Sequence, residues 1–185
     1  MTTISKDLLV WIDLEMTGLN PDIHVILEIA SIITDSQLNI IAEGPDIVIH
    51  YELSELQSMD SWSQEQHAAS GLLEKVLTSK IDCHEAERMT LQFISAHCKM
   101  GHSPLCGNSV WQDRRFLVKQ MPLLDRYLHY RTIDVSTIKE LARRWYPSLP
   151  TFKKQKQHLA LSDIKESIKE LKYYREHIFI AEQEH

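Results

Sequence analysis

Two carboxylates stand two residues apart at the end of an apolar segment near the start of the chain. They are Asp13 and Glu15, in the segment WIDLEMTGL. Side chains two residues apart on a β-strand project from the same face, so a strand here places both carboxylates side by side. A hard divalent cation such as Mg²⁺ or Mn²⁺ relieves both their repulsion and their desolvation. The alternative is that both acids reach solvent where the strand ends, and the pair alone does not decide between the two.

Further candidate ligands occur much later in the chain. Asp113 lies in GNSVWQDRRF, where a Gly–Asn turn leads into a predicted helix. His158 and Asp163 lie in HLALSD, and their spacing puts two side chains about 140° apart on a regular helix. We therefore place His158 before the helix, as a general base that titrates near neutrality, and Asp163 on the helix as a metal ligand. The alternatives are a surface acid neutralised by arginines for Asp113, and a surface or capping residue for His158.

The elements that must position these residues follow an α/β pattern. An apolar run at 8–14 predicts a buried strand, and β-branched runs at 24–34 and 40–50 complete a three-stranded antiparallel meander. Strand–helix alternation then predicts a mixed sheet flanked by helices, whose strand order the sequence leaves open. The later predicted elements are a helix from Asp82 to about Lys99, strands at Pro104–Cys106 and Arg131–Asp134, helices at Val110–Gln120 and Thr137–Trp145, and an amphipathic helix from Leu161. We interpret Asp134 as a structural acid that caps the following helix, not as a metal ligand.

Length and composition favour a small protein of the cytoplasm. The 185 residues predict a single domain over 1–185, with its core at about 8–174 and a frayed tail at 176–185. The longest apolar run is Leu8 to Ile12, far too short to cross a membrane, and no secretory signal is visible. The three cysteines form no CxxC pair, which is typical of reduced thiols in the cytoplasm.

The charge is unevenly distributed along the chain. A net charge of −6 argues against a protein that grips long nucleic acids through its whole surface. Residues 114–158 nevertheless hold 11 of the 20 Lys and Arg and only 3 of the 26 acids. This segment predicts a basic patch for a small anionic ligand, the alternative being a solvated basic face.

Together the candidate residues form a more specific pattern than any one of them. The acids Asp13, Glu15, Asp113 and Asp163, with His158 shortly before the last acid, resemble the three motifs of the DEDDh 3′→5′ exonucleases. The resemblance implies an RNase H-like fold and two divalent cations, Mg²⁺ or Mn²⁺, bound by the four acids. It also implies that His158 takes a proton from the attacking water.

Longer segments are similar to a narrower family, the oligoribonucleases. The similarity runs over about residues 8–174 and includes WIDLEMTGL, CGNSVWQDRRFL and HLALSDIKESIKEL. It implies a homodimer that degrades very short RNA, dinucleotides in particular, to nucleoside 5′-monophosphates. It further implies that Leu19 wedges between the two bases, Trp62 stacks on one of them, and His67 lies near the substrate.

The same resemblance implies a cap for the 5′-phosphate of the substrate. Ser109, Arg131 and Ser136 form the cap, and Tyr130, which the partner subunit contributes, lies near the substrate. Alternatives stay open at this point, since Leu19 and Trp62 also suit core packing and Arg131 or Ser136 also suit helix capping.

Two other functions remain compatible with the motifs. One is another DEDDh exonuclease, such as a proofreading subunit or a tRNA-trimming nuclease. The other is a non-catalytic module that binds nucleotides, although the chain retains all four acids.

Overall fold

The computed structural model describes residues 7–153 and 159–179. This part of the chain contains five strands, seven α-helices and a short 3₁₀ helix at Glu55–Ser58. In chain order the strands and α-helices are β1 (Leu9–Met16), β2 (Ile26–Thr34), β3 (Ile40–Val48), α1 (Ser61–Ala69), α2 (Leu72–Thr78), α3 (Cys83–His97), β4 (Pro104–Gly107), α4 (Val110–Gln120), α5 (Pro122–Tyr127), β5 (His129–Asp134), α6 (Val135–Trp145) and α7 (Ala160–Ile178).

The five strands form one mixed sheet in the order β3-β2-β1-β4-β5. Strands β1, β2 and β3 pair in antiparallel fashion, which confirms the predicted meander. Strand β4 pairs parallel with β1, and β5 pairs parallel with β4. The predicted mixed sheet is therefore confirmed, and β1, the first acid-bearing strand, lies at its centre.

Alternation along β1 divides its side chains between two apolar clusters. Val10, Ile12 and Leu14 enter a cluster that includes Phe116 of α4. Trp11 enters the other cluster with residues of α6 and α7, including Ile164. Because alternate residues share a face, Asp13 and Glu15 continue the Trp11 series and project toward the side on which α7 packs.

Local sequence explains where several helices begin. Asp82 accepts a hydrogen bond from the backbone N–H of Glu85, which confirms the predicted start of α3. Asp134 accepts from the N–H of Ser136 and caps α6, as predicted. Helix α5 was not expected; it begins at Pro122, whose fixed φ suits the first turn of a helix.

The ends of the predicted elements differ little from the observed ones. Helix α3 ends at His97, two residues before the predicted end, and α7 begins at Ala160, one residue early. Helix α7 includes residues 176–178, while 180–185 lie outside the described residues. Within the described ranges, no helix is long and apolar enough to cross a membrane.

Candidate active site

Three acids converge where the carboxyl-terminal end of β1 meets the start of α7. Asp13 and Glu15 extend from β1, and Asp163 lies in the first turn of α7. One carboxylate oxygen from each acid lies within 4.8 Å of the other two. Several oxygen ligands at such spacing are what a hard divalent cation requires, so these residues fit a metal site.

The fourth predicted ligand reaches the same strand from the opposite side. Asp113 lies in the first turn of α4 and is buried. Its Oδ1 accepts a hydrogen bond of 3.2 Å from the backbone N–H of Leu14, the residue between Asp13 and Glu15. Asp113 is not part of the group of three oxygens within 4.8 Å, but it lies beside it.

The acids destabilise one another's charged forms. Burial, and then the charges of Glu28, Asp163 and Asp113, raise the pKa of Glu15 from 4.5 to about 8. Burial also raises the pKa of Asp113 from 3.8 to about 7, and the charge of Asp134 acts in the same direction. Negative charge is thus concentrated where water is scarce, an arrangement that a bound cation stabilises.

Glu28 is a site residue that the sequence analysis missed. It lies opposite Glu15 in the pairing of β1 with β2 and is only 1% exposed. Its Oε2 accepts a hydrogen bond of 3.2 Å from the N–H of Ala160, the first residue of α7. Glu28 therefore fixes the start of the helix that carries Asp163. An acid inside the apolar run ILEIASII was the sequence signal for it.

The predicted general base, His158, lies outside the described residues. The described chain resumes at Leu159, directly before α7. The basic segment PTFKKQKQ lies partly outside the described residues as well.

A cavity of about 250 Å³ opens beside the acid cluster. Glu15, Leu19, Trp62 and His67 are among the residues that line it. Leu19 is 67% exposed and Trp62 is 61% exposed, so neither belongs to the core and the core-packing alternative is wrong. Both side chains present apolar surface at the cavity, as a pocket for a planar base requires.

His67 is buried at the inner wall of this cavity. Its Nε2 lies 2.8 Å from the carbonyl oxygen of Met16, and Nδ1 lies 3.8 Å from a carboxylate oxygen of Glu15. Since a carbonyl only accepts, Nε2 carries the proton. The ring thereby joins α1 to the acid-bearing end of β1.

The two serines of the predicted phosphate cap both bind the side chain of Asp134. Its Oδ1 accepts from the N–H of Ser109 at 2.9 Å and from both the N–H and the hydroxyl of Ser136. Ser109 adopts a left-handed backbone conformation, with a φ of 53°, directly before α4. The two serines are therefore neighbours in space, although 27 residues separate them in sequence.

Tyr130 and Arg131 lie together on β5. Both are exposed, and the guanidinium of Arg131 lies 5.4 Å from the centre of the Tyr130 ring. The carbonyl of Tyr130 also accepts from Arg114 of α4, at 3.1 Å. The cap of α6 is Asp134, so the alternative of helix capping does not apply to Arg131.

Relatives of known name match nearly the whole chain. The sequence profile of the RNase_T family, described as exonuclease, matches residues 10–171. An oligoribonuclease from Marinobacter nauticus is 60% identical over 174 residues, which cover 94% of this chain and 97% of that protein. The chain belongs to the oligoribonuclease family of exonucleases. An oligoribonuclease from Photobacterium profundum is 57% identical over 178 residues, which cover 96% of this chain and 98% of the relative.

Solved structures show the fold of this member of the oligoribonuclease family. Exonuclease I of E. coli, in complex with a 5cy-dT13 oligonucleotide, matches 94% of this chain with a TM-score of 0.69 and 13% identity. Exonuclease I of Methylocaldum szegediense matches 93% with a TM-score of 0.67 and 16% identity. This chain spans 42% and 41% of those two chains, respectively. The likeness confirms the predicted RNase H-like fold.

Proposed function

We propose that this protein is a 3′→5′ exoribonuclease that hydrolyses very short RNA, dinucleotides in particular, to nucleoside 5′-monophosphates. The observation that carries the proposal is the convergence of Asp13, Glu15 and Asp163 in a chain that matches named oligoribonucleases from end to end. A half-buried group of acids has a clear use in phosphodiester hydrolysis, where metal-bound oxygens must be brought next to a negatively charged substrate.

The four acids would hold two divalent cations, Mg²⁺ or Mn²⁺. Asp13, Glu15 and Asp163 supply oxygens at ligand spacing, and Asp113 adds another beside them. When bound, such ions lower the pKa of an attacking water and offset charge on the leaving oxygen. The raised pKa values of Glu15 and Asp113 support this role, because each carboxylate needs a positive neighbour to remain charged.

His158 is proposed as the general base that accepts a proton from the attacking water. Imidazole is suited to this step because it titrates near neutral pH. The residue precedes Leu159, and Asp163 lies in the first turn of the helix that follows. The N–H of Ala160 donates a hydrogen bond to Glu28, which holds the start of α7 two residues after His158 in sequence.

Two features outside the acid cluster support a preference for short chains. The cavity beside Glu15 is about 250 Å³, smaller than the usual pocket for a drug-sized ligand, and its exposed Leu19 and Trp62 suit a single base. Ser109 and Ser136, which lie 3.2 Å apart, and the exposed Arg131 would supply donors for a terminal 5′-phosphate. A substrate held at both ends has a limited length.

We also propose a homodimer that works in the cytoplasm. The exposed Tyr130 and Arg131 on the edge strand β5 offer a surface through which a second subunit would complete the cap. The three cysteines are free thiols, which agrees with a reducing compartment.

The length profile of RNA cleavage tests the proposal. RNAs of about two to about twenty nucleotides are incubated with the protein and Mn²⁺, with and without excess EDTA. We expect the fastest hydrolysis at two to about four nucleotides, products that are 5′-monophosphates, and complete loss of activity in EDTA, since the acids alone cannot activate water.

Other outcomes would replace the proposal. Equal rates on twenty-mers or on DNA primer ends would indicate another DEDDh exonuclease. Dinucleotide binding without hydrolysis in the presence of Mn²⁺ would indicate a binding module.

A further inference from the structure

Helix α4 holds the loop between β1 and β2, which carries Leu19. The Nε2 of Gln112 donates a hydrogen bond of 2.5 Å to the carbonyl oxygen of Leu19. Arg115, one turn later, donates to the Oε1 of Gln112 at 2.9 Å and lies 3.5 Å from the same carbonyl oxygen. The backbone of Leu19 is thus bound to α4, while its side chain remains exposed at the cavity beside the acid cluster.

More distant parts of the loop are also bound to α4. Lys119 forms an ion pair with Asp22, and the Nε2 of Gln120 donates to the carbonyl oxygen of His24 at 2.8 Å. These contacts secure the far end of the loop, seven and eight residues along the helix from Gln112. Among the residues of α4 that bind this loop, Gln112 is therefore the one next to Asp113.

Gln112 precedes Asp113 in the sequence, so its hydrogen bond to Leu19 starts from the same helical turn as a candidate metal ligand. Asp113 holds the start of α4 against the backbone of Leu14, and Gln112 holds the same turn against the backbone of Leu19. One helical turn thereby fixes both the acid site and the loop with the exposed apolar side chain. Gln112 is only 8% exposed, so water competes poorly for its amide.

We propose that Gln112 is a positioning residue that sets the distance between the side chain of Leu19 and the acids. It acts through the carbonyl oxygen of Leu19 and does not touch the reacting atoms. The inference rests on the proposed function, because it requires a substrate with two bases between which Leu19 inserts. Displacement of a substrate by a fraction of the hydrogen-bond length moves the scissile phosphate away from the acids and lowers the rate.

The test is a double-mutant cycle on Gln112 and Leu19. Gln112→Met keeps a side chain of similar length but removes the donor to Leu19. Hydrolysis of the dinucleotide pApA is measured with Mn²⁺ for wild type, Gln112→Met, Leu19→Ala and the double variant. We expect Gln112→Met to lower kcat/KM about tenfold. We expect no further decrease when it is added to Leu19→Ala, because the positioned side chain is then already absent.

Two measurements distinguish positioning from general damage to the site. The Mn²⁺ concentration that gives half-maximal activity stays at the wild-type value in Gln112→Met, whereas a displaced Asp113 would raise it. Gln92→Met removes an exposed glutamine of α3 that accepts from Arg88, and it keeps wild-type kcat/KM. Gln112→Leu is a second variant, which also lacks the donor to Leu19 and adds no charge beside Asp113. If Gln112→Met does not fold, this second variant takes its place in the cycle, and we expect the same decrease in kcat/KM.

The outcomes separate the two proposals. The inference is overturned if Gln112→Met lowers kcat/KM by the same factor in the wild type and in the Leu19→Ala variant. It is also overturned if either single variant keeps the wild-type kcat/KM. In those cases hydrolysis of pApA by the wild type leaves the proposed function standing. Failure of the wild type to hydrolyse pApA with Mn²⁺ overturns both.

Discussion

Acids with little access to solvent occur both at the end of β1 and away from it, and their surroundings are opposite. Glu87 accepts from the N–H groups of Leu123 and Leu124 at the start of α5. Glu170 accepts from the amide of Asn108 at 3.1 Å, and Lys139 lies 3.4 Å from it. These acids are surrounded by donors, so burial of their charge is compensated inside the protein.

The acids at the end of β1 are surrounded mainly by other acids. Glu15 has Glu28, Asp163 and Asp113 as its charged neighbours, and its pKa rises to about 8. The structural acids stabilise the fold, whereas the site acids carry a charge that a bound proton or a cation must compensate. The surroundings of Glu15 and Asp113 therefore suit a cation site, and those of Glu87 and Glu170 suit a structural role.

The largest effect should follow from neutralising a site acid. Asp113→Asn keeps an oxygen that accepts from Leu14 but removes the negative charge. We expect kcat on dinucleotides to fall at least about a thousandfold, since cation-assisted catalysis contributes several kcal/mol. We also expect the melting temperature without metal to stay or rise, because a desolvated charge is gone. A variant with wild-type turnover in Mn²⁺ would contradict the comparison.

The next effect concerns the base that is proposed to work beside these acids. His158→Ala should lower kcat about a hundredfold or more while KM changes little, because a general base acts on the attacking water and not on substrate binding. Steady-state kinetics at several substrate concentrations measure both quantities. A rise of KM at constant kcat would assign His158 to substrate binding instead.

The site acids should make the stability of the metal-free protein depend on pH. The pKa of Glu15 is higher in the folded chain, about 8 against 4.5, so the folded state binds more protons between these values. Stability without metal therefore falls as pH rises through this window, and Asp113 acts in the same direction up to about pH 7. Added Mn²⁺ should stabilise the protein more at high pH, where fewer protons must leave.

Unfolding in EDTA and in Mn²⁺, from about pH 5 to about pH 8, measures this dependence. The variant Glu15→Gln provides the control, because it removes the titrating group and should flatten the metal-free curve. A metal-free curve equally steep in wild type and Glu15→Gln would show that the slope arises elsewhere.

The smallest effect on activity should come from a structural acid. Glu87→Gln weakens the acceptor of two backbone N–H groups at the start of α5, and we expect a loss of about 1–2 kcal/mol in the free energy of unfolding. The kcat on dinucleotides should stay within about twofold of wild type. Denaturant unfolding together with a standard assay checks both expectations. A large loss of activity at full stability would remove the distinction between the two regions.

Local patterns predicted those parts of the site that depend on neighbours in sequence. Alternation along a strand was enough to place Asp13 and Glu15 on one face, and the capping pattern at Asp82 was enough to start α3. The order of the strands was not accessible, because the pairing of β1 with β4 depends on contacts between distant segments. The prediction that Asp113 and Asp163 belong to the same site as Asp13 and Glu15 came from the family resemblance, because their spacing in the sequence does not show it.

Two residues escaped the sequence analysis for different physical reasons. Glu28 lies in a run of apolar residues that was interpreted only as a buried strand, although an acid there needed an explanation. Gln112 binds a backbone carbonyl 93 residues away, and any residue presents such an oxygen. The residue types in the sequence therefore do not predict such a contact.

The serine hydroxyl at the start of α6 donates its proton to Asp134 in this structure. A terminal phosphate that engages Ser136 must therefore win that proton from a carboxylate, which a doubly charged oxyanion can do and a neutral sugar hydroxyl cannot. Competition between Asp134 and the terminal phosphate for the hydroxyl of Ser136 would thus select among the possible ends of an RNA chain. It would make the protein discriminate between phosphorylated and unphosphorylated fragments.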